Sequence, residues 1–371
     1  MAFLAVLLLG SAAGAATPPY TNTTVVNGNL SPALNGVVLL KALANAVPPA
    51  LIKVEPGFYD LGGQQLVMRS LVDIEGSGRD ITIIESTASL QTSSAVASVP
   101  PGVTAELREL TLRSTSPADG NGIIIQSSRF LMTEVNVESG AAGPFVGVSV
   151  FDSSPRINEV LVRAVSGSGD ATGFRFSGGG AVVTDSLAFV GSPGAVNLGF
   201  HVIGASDVVL DSVVAIVSGG SASNIAVRVR EEAKAQLTNV RGTASGGDVS
   251  AGLFSVIDST EQSEVDVKES TFRATGEFAA SLFIAGGVRA RITESTFDGS
   301  NFAALVSDSA ILEANQSNFI SDAFAVRRVD EGLASFGSSQ LVGAVSNLPP
   351  GSLRCVFSYD GSYNPRSATC S

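Results

Sequence analysis

Three segments, ESTFRATG (Glu269–Gly276), ESTFDGSN (Glu294–Asn301) and QSNFISDA (Gln316–Ala323), each place a phenylalanine three residues after an acid or amide. Phe272, Phe297 and Phe319 thereby recur at intervals of 25 and 22 residues. Aligning the opening polar residue extends the series upstream through Glu109, Glu134, Glu159, Asp185, Asp211 and Thr238, with successive spacings of 25, 25, 26, 26, 27 and 31 down to Glu269. A second column keeps step with it. GIIIQ, GVSVF, GFRFS and GFHVI begin at Gly122, Gly147, Gly173 and Gly199, which are 25, 26 and 26 residues apart.

A recurrence of about 20–50 residues marks a repeat architecture. Within each repeat the apolar residues alternate, as Phe174 and Phe176 flank Arg175, and Gly, Ser and Asp separate the short runs. Alternation over such lengths indicates strands. No repeat carries an amphipathic pattern at helical spacing, which disfavours helical solenoids and βαβ folds. One repeat accommodates three short strands and three bends. Stacked repeats predict an all-β chain, a right-handed parallel β-helix of roughly 11–12 coils, the hand being that of known folds of this kind. Equivalent residues then lie ~4.8 Å apart. Phe272, Phe297 and Phe319 become one interior stack, and Phe174 over Phe200 another.

Both ends of such a tube expose core and strand edges and need covers. In SPALNGVVLLKALANAV, Ser31 is placed as an N-cap with Pro32 in the first turn of a helix. Leu34, Val38, Leu39 and Leu43 are read as its apolar face. At the other end, GSLRCVFSYDGSYNPRSATC breaks the period and holds both cysteines, Cys355 and Cys370, which are expected to bridge. The organisation read from sequence is a signal peptide over 1–16, an N-terminal arm and capping helix over 17–50, the β-helix over 51–343, and a C-terminal cap over 344–371. The leader reading rests on a short apolar run, Ala2–Leu9, before Ala13-Gly14-Ala15. It makes a secreted, periplasmic or envelope location the expectation.

LIKVEPGFYDLGG (51–63) followed by LVDIEGSGRDITII (71–84) resembles the first rungs of bacterial proteins of the pectin lyase-like β-helix superfamily. The repeats from 107 to 343 are similar in plan. The resemblance implies the fold; it spans pectate lyases, polygalacturonases, pectin esterases and phage tailspikes, so it does not choose an activity. The catalytic segments of those enzymes do not transfer. Asp-Asp does not occur, Trp is absent, and the one histidine stands in GFHVI. GSGRDI at Gly76 lacks the third glycine and following helix of a phosphate loop, and reads as a bend.

With 34 acids against 22 bases the net charge is −12, which opposes nonspecific binding to nucleic acid or an anionic membrane. No later segment offers a membrane span. Two candidate sites remain. Arg175 and His201 share one outward column on adjacent coils, where they could hold a uronate carboxylate or serve as base and acid. Glu134, Glu159, Asp185 and Asp211 form an acidic column that is either solvated or neutralised by a cation such as Ca2+. Asp185 and Asp211 are also read as possible partners of Arg175 and His201. Of the phenylalanines, Phe151 alone is read as facing outward. The functional expectations are a noncatalytic protein binding glycan or another protein on a rigid face, a polysaccharide lyase or glycoside hydrolase acting on an acidic polysaccharide, or a structural, adhesive fibre component.

Overall fold

A computed structural model describes residues 20–88, 95–139, 143–165, 167–257, 262–348 and 353–370. The expected leader, 1–16, lies outside them. Among the described residues, thirty-three strands pair in parallel into one continuous solenoid, with a single helix, α1 (Pro32–Asn45). Three sheets run along the tube. Sheet A includes Gly120–Ile125, Phe145–Phe151, Ala171–Gly179, the start of Val196–Asp211, and Ser223–Val229. Sheet B includes Ala50–Val54, Val72–Glu75 and Lys234–Thr238, and sheet C includes Leu161–Ala164, Leu187–Gly191 and Thr271–Thr275.

The repeated phenylalanine is an interior ladder of sheet C. Phe272 pairs in register with Phe297, and Phe297 with Phe319. Their rings stack at 5.4 and 5.3 Å and all three are fully buried. Phe174 and Phe200 stack at 4.8 Å inside sheet A. Aromatic pairs at such separations contribute about 0.5–1.5 kcal/mol beyond the area they bury.

The polar residue that opens each repeat is the corner between sheets B and C. Glu109, Glu134, Glu159, Asp185, Glu269, Glu294 and Gln316 all have φ between 49° and 56°. One left-handed residue turns the chain there, and its side chain is thrown outward. The residue that follows it points inward. Where that residue is serine, its hydroxyl donates to the carbonyl two positions back and accepts the amide of its counterpart one coil earlier. Ser295 Oγ donates to Thr293 O at 2.8 Å and accepts Ser270 N at 3.1 Å; Ser317 and Ser339 repeat the pattern. The corner leaves these amides without a ladder partner, and a buried unsatisfied amide costs about 1–3 kcal/mol. The ES and QS pairs of the sequence are therefore a corner and its hydrogen-bonded lining.

The sequence alignment slips at two rungs. The left-handed positions after Asp185 are Ser212 and Asn239, not Asp211 and Thr238. One residue lies between Ser177 and Gly179, whereas two lie between their partners Ile203 and Ser206. That extra residue shifts the next corner, so Asp211 pairs with Thr184 and leaves the acidic column.

The glycine column answers to space rather than to backbone freedom. A Cβ on Gly122 would lie 2.0 Å from Val137 Cγ1, and one on Gly147 would lie 2.2 Å from Val162 Cγ1. Sheet A approaches sheet C along this line, and the facing column shrinks to Ala188 and Ala215 downstream.

Helix α1 covers one end of the bore, with a different face from the expected one. Asn35, Gly36, Leu39 and Leu43 are buried, whereas Leu34 and Val38 are exposed. Asn35 fixes this rotation, because its amide donates to Gly28 O, Leu30 O and Phe58 O and accepts Leu30 N. Ser31 holds the N-cap position without a side-chain cap bond. Arg69 closes the other helix end by donating to Leu43 O, Ala44 O and Ala46 O. Pairing extends past both ends expected for the β-helix: Asn22–Val26 pairs with Ala50–Val54, and Leu353–Val356 with Leu333–Gly337. Cys355 and Cys370 are bridged, with Cα atoms 5.2 Å apart, and both belong to the main core.

Two substitutions test these roles. Gly147→Ala should lower stability by about 1–3 kcal/mol through overpacking, and adding Val162→Ala should restore part of that loss in urea melts. Ser295→Ala should destabilise by about 1–3 kcal/mol, because Ser270 N loses its acceptor; an unchanged denaturation midpoint would show the corner ladder to be energetically idle.

Candidate functional site

The outward residues of sheet A form two adjacent columns. One runs, strand by strand in register, through Ser149, Arg175, His201, Arg228, Phe254 and Phe283. The sequence pairing of Arg175 with His201 is thus met on neighbouring strands, and Arg228 joins it on the next. Arg228 is legible in the sequence as well: in IAVRVR (225–230) the same alternation that places His201 outward places Arg228 outward.

His201 sits between two guanidinium groups. Burial, then the charges of Arg228, Arg175 and Arg230, push its pKa down to about 3 from an ordinary 6.5. The imidazole is therefore neutral across the physiological range, an aromatic hydrogen-bonding group rather than a cation. It is too weakly basic to act as a general base near neutrality. Its Nε2 and the Nε of Arg175 are buried without a hydrogen-bond partner among the described residues. Arg228 lies with Cζ 5.7 Å from the Phe254 ring centroid, within the range of a cation–π contact.

Beside Arg175 opens a cleft of about 580 Å³, lined by Asp119, Asn121, Ser149, Phe151, Asp170 and Arg175 among others. Phe151 is half-buried in its wall, consistent with an outward position. Asp119 and Asp170 immediately precede the strand residues Gly120 and Ala171, which lie two strands apart. That places the two backbones ~9.6 Å apart. Asp170 Oδ1 accepts the Val196 amide at 2.8 Å. Neither acid was singled out from sequence, because both fall in Gly/Ser-rich bends outside the alternating runs.

Asp185 and Asp211 are not beside Arg175 and His201. Asp185 occupies the corner between sheets B and C, and Asp211 ends a strand of sheet B. Glu159 and Asp185 are exposed and Glu134 is half-buried. Among the described residues no three His, Cys, Asp or Glu side chains converge in a manner that could hold a metal ion. No described helix is long and apolar enough to cross a membrane.

Phe151 is not the sole outward phenylalanine. Phe254, Phe278, Phe283, Phe302 and Phe324 form clusters outside the bore, separate from the main core. Strict alternation misplaces them because two successive residues face inward in these strands. A Cβ on Gly252 would meet Phe272, and the next residue, Leu253, belongs to the core.

No protein-family model matches the chain, and no curated protein matches its sequence. Solved structures match its shape. The A-module of mannuronan C-5 epimerase AlgE4 from Azotobacter vinelandii has a TM-score of 0.61 over 90% of this chain and 99% of that one, at 10% identity. The Dettilon tailspike protein gives 0.58 over 87% and 68%, at 10% identity. Pectate lyase Pel9A gives 0.50 over 94% and 82%, at 14% identity. The chain has the right-handed pectin lyase-like β-helix fold.

The depressed His201 pKa has a consequence for stability. Below pH 6.5 the unfolded chain takes up a proton at this residue that the folded chain refuses until about pH 3. Stability from this group is therefore complete above pH 6.5 and is lost as pH falls towards 3, at up to about 1.4 kcal/mol per unit. His201→Asn should flatten the acid limb of a stability–pH curve by that slope; parallel curves for the two proteins would refute the shift.

Proposed function

We propose that the protein binds an anionic polysaccharide on the outer face of sheet A, through Arg175, His201 and Arg228. The observation that carries this reading is the column itself: two arginines separated by an imidazole kept neutral, beside an open cleft. Guanidinium groups recognise carboxylates through paired, charge-assisted hydrogen bonds. Arg175 makes no hydrogen bond or ion pair to the described residues, so a ligand carboxylate needs to displace none. The overall charge of −12 is a sum over the whole chain, whereas binding depends on the local column, in which Arg175 and Arg228 flank His201 with no acid between them. Neighbours in fold space include an epimerase of mannuronan and a pectate lyase, both named for polyuronates, and a tailspike. A neutral imidazole supplies hydrogen bonding and a ring face in place of the Trp that the chain lacks. The reading is of a secreted or envelope protein that holds an acidic glycan on a rigid face without turning it over.

A second reading has its own observation. Asp119 and Asp170 both line the cleft, and two carboxyl groups facing one cleft are the pair that acid–base hydrolysis of a glycosidic bond uses. In that case the same glycan would be hydrolysed across the cleft.

Titration calorimetry with oligomannuronate, oligogalacturonate and a neutral β-1,4-glucan oligosaccharide separates these cases. The acidic oligomers should bind and the neutral one should not. Arg175→Ala and Arg228→Ala should each weaken binding about 10–100-fold, the range expected for a hydrogen bond to a charged group. Equal binding of the neutral oligomer, or unaltered affinity in both variants, would overturn the proposal. Release of reducing ends that disappears in Asp119→Asn would move the assignment to hydrolysis.

A further inference from the structure

The column that carries Arg175, His201 and Arg228 does not end there. It continues in register through Phe254, Phe283 and Leu305 to Arg327. Arg327 repeats the posture of Arg228, with Cζ 5.6 Å from the Phe302 ring centroid and 5.7 Å from that of Phe324. It has no hydrogen bond or ion pair among the described residues, in a protein with a surplus of acids. Its five N–H donors are held at the surface of an aromatic floor. Phe254 and Phe283 meet edge to face at 5.0 Å, and Phe302 and Phe324 stack at 5.8 Å. Those rings bridge the two arginine positions.

The spacing of the three arginines is informative. Arg228 is two strands from Arg175, and Arg327 is four strands further on. Both steps are even. At the strand spacing they correspond to ~9.6 Å and ~19 Å along the axis. An extended 1,4-linked polyuronate with a two-fold twist turns every second carboxylate to the same edge, so its carboxylates also recur on one side in even steps. Its sugars present apolar C–H faces between those carboxylates, which matches a floor of phenylalanine between guanidinium groups. A compact ligand can reach one arginine cluster only; a linear polymer can reach all three.

Building on the proposed function, we infer that the binding face is a track running from Arg175 to Arg327, and that its ligand is an extended two-fold polyuronate ribbon. With one pyranose per strand spacing, about seven sugars span the track. The His201 end grips the carboxylates, and the aromatic end adds apolar contact and a third carboxylate site at Arg327.

Oligomannuronates of two to ten sugars, titrated into the wild-type protein, Arg327→Gln and Arg327→Lys, test this. Wild-type affinity should climb with length until about seven sugars and then level off. Arg327→Gln should leave the trimer unaffected and weaken the octamer about tenfold, with Arg327→Lys in between. Oligoguluronate of equal length and charge, whose buckled chain shortens the repeat between same-edge carboxylates and so falls out of step with the strand spacing over the track, should gain less beyond the trimer. A wild-type affinity that is flat beyond three sugars, or Arg327 variants that bind the octamer like wild type, would overturn the track while leaving trimer recognition at Arg175 and Arg228 intact. Absence of binding at every length would overturn both.

Discussion

The parallel, in-register backbone ladder is the constraint on which everything else in this molecule depends. Each strand pairs with its own counterpart one coil later, so every side chain has its homologue ~4.8 Å above and below. A residue type persists in a column only if it tolerates contact with itself or with its successor. Phenylalanine satisfies that by stacking, as at Phe272, Phe297 and Phe319. Serine satisfies it by accepting its neighbour's amide, as at Ser295 and Ser317. Within the sheets charged residues satisfy it by alternating in sign, as in Lys53, Glu75 and Arg108 or Asp266, Arg291 and Glu313. At the corner between sheets B and C, Glu109, Glu134, Glu159 and Asp185 share one sign and are thrown outward instead.

Among the charged columns within the sheets, the outer column of sheet A departs from that alternation. Arg175, His201 and Arg228 follow one another with no acid interposed. The column is tolerable because the middle member is uncharged, its proton excluded by burial and by the two flanking cations. Elsewhere in the sheets an acid separates successive cations within the column, as Glu75 separates Lys53 from Arg108. Departures from local consistency concentrate at functional sites, and here the departure has a sign, since it favours an anion. The rest of the tube makes the surface rigid, so guanidinium positions set by strand spacing are fixed before a ligand arrives and little ordering is needed on binding.

Much of this fold was legible in sequence because its information is periodic. The ES-T-F segments located a corner, an inward residue and a core ladder together. The glycine spacing located a second column, although its cause, contact with Val137 and Val162 on the facing sheet, needed three dimensions. Legibility failed where one residue was added or the alternation broke. The extra residue near Gly204 displaced the corner from Asp211 to Ser212, and the paired inward residues Gly252 and Leu253 concealed the outer phenylalanines. Helix α1 turned on a hydrogen-bonded asparagine that hydrophobic spacing does not register. The site was half visible: Arg175 and His201 could be placed in one column, whereas Asp119 and Asp170 sit in bends that no period marks.

The chain has one histidine, which makes the central claim open to a single spectroscopic reporter. Side-chain nitrogen NMR of 15N-histidine-labelled protein, followed while an oligomannuronate is added, reports directly on the Arg175–Arg228 gap. The expected result is a saturable shift of the His201 Nε2 resonance that matches the calorimetric binding curve and is absent with a neutral oligosaccharide. A resonance that stays fixed while the acidic glycan binds would place the ligand elsewhere and contradict the assignment of this face.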